Sequence, residues 1–179
     1  MKKIACGLLA LVMVINFCSC LNMRGIMDDQ IDQEEASAHM KIILTDLFNS
    51  VKKDERQLFN DFFADHVLSM DDFENGKNYV FNSYKGDLKN IECNLPMGTG
   101  ESIGPNVHIF YAFTSFKIIT TENEYTVYVQ FYTKNPETEY KIMKFKLLDK
   151  QAMDNGDDFS DMGLRYGIYY PGWVDKEMK

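Results

Sequence analysis

Residues 107–132 have the sequence VHIFYAFTSFKIITTENEYTVYVQFY. Val, Ile, Phe, Tyr and Thr dominate this stretch, and these residue types are enriched in β-strands. The polar run at residues 121–124 divides the stretch, so we predict a strand over 107–119, a turn, and a second strand over 125–132. A hairpin of two long strands therefore lies at the centre of the predicted fold.

The two faces of the second predicted strand differ in character because successive side chains of a strand point to opposite sides. One face consists of Tyr125, Val127, Val129 and Phe131, and the other of Thr126, Tyr128, Gln130 and Tyr132. We assign the first set to the core. Tyrosine combines a packing ring with a hydrogen-bonding hydroxyl, so we predict that Tyr128, Gln130 and Tyr132 line a ligand pocket or a partner surface.

Helical periodicity precedes these strands. Apolar residues recur every three or four positions between residues 28 and 53, which is typical of one face of an amphipathic helix. The stretch Asp54-Glu55-Arg56-Gln57 has the pattern of a capping box and predicts the start of a second helix. A third helix is predicted over residues 71–85, ended by Gly86.

Further strands are predicted over residues 88–93, 140–148 and 166–170. Residues 95–106 contain three glycines and two prolines, which favour a loop, and residues 154–163 are predicted as a second loop. The resulting prediction is an α+β fold, with three N-terminal helices packed on a curved antiparallel sheet of four to five strands.

The composition bounds the class of protein. The chain has 179 residues, of which 45% are hydrophobic, and this is enough to form a core in a single domain. Asp and Glu number 27 against 19 Lys and Arg, which gives a formal net charge of −8. Since binding to phosphate backbones needs a basic face, we predict no nucleic-acid partner.

The N-terminus has the pattern of a bacterial lipoprotein signal. Lys2 and Lys3 precede an uncharged apolar stretch, residues 4–15, that is too short to span a bilayer. Phe17-Cys18-Ser19-Cys20 then resembles the lipobox, whose Cys receives the lipid and begins the mature chain. The alternative is an ordinary secretory signal cleaved near Ser19.

The lipobox resemblance implies the organisation of the chain. It predicts a signal peptide at residues 1–19, lipidated Cys20 with a tether over residues 20–30, and one α+β domain over residues 31–179. The predicted location is the extracytoplasmic face of the cell membrane, and the lipid on Cys20 makes the membrane a partner. Cys93 is then the one thiol left, either as a small buried side chain or as a reactive group.

Motifs for metal or cofactor chemistry are missing from the sequence. His39, His66 and His108 are isolated, whereas a zinc protease needs two His one helical turn apart. Ser102 is not part of a Gly-x-Ser-x-Gly elbow, and the acidic residues 154–158 do not have the spacing of an EF-hand loop. We therefore predict no metal, no cofactor and no catalytic residue.

Three functions remain open. We favour a non-catalytic binding domain for a small molecule, a peptide or an envelope protein, and we add His108 and Glu101 to its candidate ligand-binding residues. The second is a pocket enzyme that uses His108 and Glu101 as acid and base. The third is a toxin-immunity or inhibitor lipoprotein, which the acidic charge favours by analogy only.

The chain resembles a family of clostridial and other Firmicutes lipoproteins of unknown function that have a nuclear-transport-factor-2-like, cystatin-like fold. The resemblance covers about residues 36–171. The motifs that carry it are Lys52-Lys53-Asp54 with Leu58-Phe59, Tyr84-Lys85-Gly86, Gly100-Glu101-Ser102-Ile103, Asp161-Met162, and Gly167-Ile168-Tyr169 with Pro171. The resemblance implies the cone-shaped α+β fold and the envelope location, and it implies no activity.

Overall fold

A computed structural model describes residues 32–103, 108–133, 140–159, 162 and 165–171. The helices of this part are α1 (Gln33–Lys52), α2 (Arg56–Asn60), α3 (Asp65–Leu68), α4 (Phe73–Ser83) and α5 (Lys150–Asp154). The strands are β1 (Leu88–Ile103), β2 (His108–Thr120), β3 (Glu124–Tyr132), β4 (Ile142–Asp149) and β5 (Gly167–Tyr169). The predicted signal peptide, Cys20 and the tether lie outside the described residues, as does the side chain of His108.

The five strands form one sheet in the order β1-β2-β3-β4-β5. The first four are antiparallel to their neighbours, whereas β5 is parallel to β4. A sixth segment joins the same sheet, because Phe63 forms a parallel bridge with Ile142. The α+β class is confirmed, but the purely antiparallel sheet of four to five strands is wrong, since a crossover after β4 returns the chain in the parallel direction.

The number of helices also differs from the prediction. Four helical segments, not three, precede β1 in the described part of the chain, and α5 follows β4. The predicted capping box is wrong: the N-cap of α2 is Glu55, which makes no side-chain cap hydrogen bond. Asp54 instead has a φ of 56° and ends α1, where the backbone N of Glu55 donates to the carbonyl of Ser50 at 2.8 Å.

Residues 95–103 of the glycine-rich stretch predicted as a loop belong to β1, and residues 104–106 lie outside the described residues. The register with β2 shifts between Asn94 and Gly98, so Pro96 lies where the ladder is interrupted. An edge strand tolerates a proline at such a position, because no neighbour needs its missing N–H. The glycines here therefore do not mark a turn, and their role is described with the site below.

One face of the sheet forms the core, as predicted for β3. Val127, Val129 and Phe131 are fully buried, and Tyr125 is 2% exposed. Phe48 of α1 lies in the same core. Its ring stacks on Tyr84 at 4.6 Å and lies 6.4 Å from the ring of Phe145 in β4, so α1 packs across this face.

We predict that Phe48→Ala lowers the free energy of unfolding by about 3–5 kcal/mol, because it leaves a cavity between α1 and the sheet. Ile42→Ala on the same helix is the matched control. Ile42 is 62% exposed, so its truncation should change stability by less than about 0.5 kcal/mol. Urea denaturation followed by circular dichroism measures both, and equal effects of the two variants would contradict the assignment of the core.

Candidate functional site

The outer face of the sheet, on the side opposite α1, carries the side chains that do not point into the core. We define it by the residues of β2 and β3 that alternate with the core residues. They are Tyr111, Phe113, Ser115 and Lys117 on β2, and Thr126, Tyr128, Gln130 and Tyr132 on β3. Cross-strand pairing places Phe113 opposite Gln130, and Ser115 opposite Tyr128.

Four aromatic side chains form a continuous row on this face, which we call the aromatic row: Tyr111, Phe113, Tyr128 and Phe159. Successive ring centroids are 6.4, 6.4 and 5.5 Å apart. The angles between successive ring planes are 36°, 32° and 34°. Offset rings at these distances attract one another, so the row has a preferred arrangement without any ligand.

Two glycines of β1 lie directly beneath rings of the aromatic row. A Cβ atom on Gly98 would come within 2.3 Å of the Phe113 ring, and one on Gly100 within 2.5 Å of the Tyr111 ring. Both rings therefore lie across the backbone of the edge strand in space that only glycine leaves open. One side of each ring is against β1, and Phe113 is still 36% exposed.

Gln130 is the polar residue beside the row. It lies between Phe113 of β2 and Lys144 of β4, and only 8% of the residue is exposed. Within the described residues its carboxamide makes no hydrogen bond. The fully buried side-chain atoms without a hydrogen-bond partner in this part of the chain are His66 Nε2 and Thr133 Oγ1. The Gln130 carboxamide therefore reaches solvent and is available to an incoming hydrogen-bonding partner.

An open cleft adjoins the row at the hairpin end of β2 and β3. Its volume is about 300 Å³. The lining residues are Asn94, Lys117, Glu124, Tyr125, Thr126, Lys150 and Met153. Lys117 Nζ lies 3.0 Å from a Glu124 carboxylate oxygen, and this hydrogen bond and charge raise the pKa of Lys117. Asn94 donates to Ser115 Oγ at 2.9 Å, so the cleft has a polar wall.

A histidine and two tyrosines lie together at the other end of the outer face, away from the cleft. The ring of His66 in α3 meets Tyr166 edge-on at 4.7 Å and Tyr132 at 6.1 Å. Its Nε2 atom is buried and makes no hydrogen bond. Burial lowers the pKa of His66, and the charge of Asp65 opposes this shift. Burial also raises the pKa of Tyr132, with a contribution from Tyr166.

The structure places three of the five predicted ligand-binding residues together. Tyr128, Gln130 and Tyr132 share the outer face, and both tyrosines are half-buried rather than enclosed in the core. Glu101 is exposed on β1, opposite Phe110 of β2. The backbone of His108 pairs with Ile103 in the same ladder, and the joint role of His108 and Glu101 stays a prediction.

Sequence reasoning missed the other half of the site. It assigned no role to Phe113 and Tyr111, and it placed Gly98 and Gly100 in a loop. A signal was present, because a Gly-x-Gly pair faces a Tyr-x-Phe pair, and glycine next to an aromatic across two strands is a known packing arrangement. Phe159 had no such signal, since it reaches the row from a non-repetitive segment.

Two properties of the described residues bear on the class of site. No group of three or more His, Cys, Asp or Glu side chains is arranged there to hold a metal ion. None of the helices in that part of the chain has the length and hydrophobicity needed to cross a bilayer. Cys93 is half-buried, with its Sγ 3.9 Å from Thr114 Oγ1.

No family model matches this sequence, and no curated protein is significantly similar to it. The geometry of the outer face is therefore the basis for a functional proposal.

We predict that His66→Phe flattens the pH dependence of stability below neutrality. Because the pKa of His66 is lowered on folding, the unfolded chain takes up the proton first. The stabilisation from neutral His66 is therefore complete above about pH 6.5 and is lost as the pH falls through the pKa of the folded state. Phe keeps the contacts with Tyr132 and Tyr166 and removes the titration.

Urea denaturation at several pH values between 7 and 5 measures this effect. The matched control is His39→Gln, since His39 is exposed on α1. An identical pH slope for the wild type and His66→Phe would show that His66 does not contribute.

Proposed function

We propose that the protein is a lipid-anchored, extracytoplasmic binding protein without catalytic activity, and that its ligand binds the outer face of the sheet. The observation that carries this proposal is the aromatic row together with the unpaired Gln130 carboxamide. Exposed aromatic rings beside a polar group that has no internal partner are a common composition for ligand sites.

The position of these residues in the fold supports binding rather than a purely structural role. The row lies on paired strands, and strands hold side chains more rigidly than loops do. The core is already filled from the opposite face by α1 and the buried residues of β3. Packing of the core therefore does not require Phe113 or Tyr128 to be aromatic.

The cystatin-like, nuclear-transport-factor-2-like cone is part of this proposal, as is membership of the Firmicutes lipoprotein family. The support is a long helix, α1, packed across a sheet whose strands follow the order of the chain. The short motifs quoted from the sequence add to it. In this arrangement the outer face lies on the side of the sheet away from α1, where Phe113 is 36% exposed.

Attachment through Cys20 would hold the binding face close to the membrane surface. Each buried methylene of a lipid chain contributes about 0.8 kcal/mol, so two acyl chains anchor a protein stably whereas one does not. The described domain begins at α1, and residues 20–30 would act as the tether. The ligand would accordingly be a component of the cell envelope.

We predict that Cys20→Ala releases the protein from the membrane fraction into the medium, because the lipobox thiol that would receive the lipid is removed. Cys18→Ala is the control, since Cys18 occupies the tolerant position of the lipobox, and it should leave the protein in the membrane fraction. Immunoblotting of fractionated cultures measures both. Membrane retention of the Cys20→Ala protein would contradict lipid anchoring.

We also predict that the full chain, purified in mild detergent after incubation with host envelope extract, carries a bound species in native mass spectrometry. Phe113→Ala combined with Tyr128→Ala should remove that species, whereas the exposed control Ile42→Ala should retain it. A bound species that survives the double substitution would place binding elsewhere. The proposed function fails if the wild type shows no bound species.

A further inference from the structure

The rings of the aromatic row have similar orientations. Each successive pair in the row differs by only 32° to 36°. Phe113 and Tyr111 also lie across the backbone of β1 at Gly98 and Gly100. The row can therefore serve as a shallow platform of similarly oriented rings.

Such a platform matches a ligand made of repeating flat units. A β-linked pyranose presents axial C–H bonds on both faces of its ring, and these pack against the face of an aromatic ring. The ring spacing of 5.5 to 6.4 Å is comparable to the length of one sugar unit in an extended chain. Several units of one oligosaccharide would thus contact several rings at once.

We propose that the aromatic row and Gln130 bind a neutral, β-linked glycan chain. The proposal rests on the binding function proposed above and names the class of ligand for the same face. Phe113 and Tyr128 provide the stacking surface, Tyr111 extends it over β1, and Gln130 selects the hydrogen-bonding pattern.

The carboxamide of Gln130 fits this ligand because it offers both donors and an acceptor. A sugar hydroxyl or an N-acetyl group pairs with either part of an amide. Gln130 is 8% exposed and has no hydrogen-bond partner in the described part of the chain. A ligand that displaces water from this amide and hydrogen-bonds to it is preferred to one that leaves it unpaired.

The charges on this face favour a neutral ligand. The chain has a formal net charge of −8, yet the aromatic row consists of Tyr and Phe only. Lys146 stands opposite Tyr128, but it is 1% exposed and donates to the carbonyl of Asp158. Lys144 stands opposite Gln130, and burial lowers its pKa. The nearest carboxylate in the adjoining cleft, Glu124, is already paired with Lys117. A polycationic ligand would thus bind to acidic residues elsewhere on the protein. A polyanionic ligand would be repelled by the net negative charge of the protein.

The test is a calorimetric titration of the full chain in mild detergent with three soluble probes. The β-1,4-linked hexasaccharides of N-acetylglucosamine and of glucose have extended, flat chains, and we expect saturable binding of at least one of them. The α-1,4-linked hexasaccharide of glucose has a coiled chain with the same hydroxyl groups, and we expect it to bind at least about tenfold more weakly.

Variants then assign the binding to the outer face. Phe113→Ala and Tyr128→Ala should each weaken binding of the β-linked probe about tenfold, because each removes one stacking contact. Gln130→Leu should weaken it to a similar extent while leaving the urea midpoint unchanged or raised, since an unpaired amide is replaced by an apolar group. Ile42→Ala should bind like the wild type.

The outcomes separate this proposal from the proposed function. Absence of binding by both β-linked probes, or binding that the three outer-face variants leave unchanged, overturns the glycan proposal. If native mass spectrometry nevertheless shows a bound peptide or lipid that Phe113→Ala and Tyr128→Ala remove, the binding function stands with another class of ligand. If no bound species depends on these residues, the binding function fails as well.

Discussion

The register of β3 between β2 and β4 is the constraint on which the rest of the structure depends. Val127 and Val129 point into the core because Phe116 and Thr114 of β2 stand opposite them, and this fixes Tyr128 and Gln130 on the outer face. A slip of one residue would exchange the two sets and bury the polar residues under α1. The same hydrophobic pattern that stabilises the core therefore also determines which side chains are left for binding.

The edge strand β1 is held by α1 as well as by β2. The carboxamide of Gln33, in the first turn of α1, accepts a hydrogen bond from the backbone N of Met97 at 3.2 Å and donates to its carbonyl at 3.3 Å. An unpaired edge invites association with other strands, and a side-chain amide that pairs with the backbone blocks that position. These two hydrogen bonds also hold β1 immediately before Gly98. The backbone beneath the aromatic row is therefore linked to α1, the helix that follows the predicted tether.

The sequence predicted what depends on alternation and missed what depends on contacts between distant segments. The strands of the central hairpin, and the division of β3 into two faces, follow from a period of two and were predicted nearly to the residue. The extension of β1 was missed because glycine and proline indicate a loop until the Phe113 and Tyr111 rings that need them are known. The strand β5 was predicted, but its parallel direction was missed. A three-residue strand has no direction in its own sequence, and only its pairing with Lys144 and Lys146 supplies one.

The crossover between β4 and β5, which makes the sheet mixed, also limits the extent of the candidate site on the outer face. Asp158 and Phe159, which follow α5, lie over the outer face: Lys146 donates to the carbonyl of Asp158 at 2.6 Å, and Phe159 packs on Tyr128. Lys146 is 1% exposed although it lies on the outer face. These two residues therefore cover the β4 side of the face next to Lys146. An antiparallel fifth strand joined by a short turn would have left the whole outer face uncovered, so the parallel connection gives the platform a boundary at Phe159.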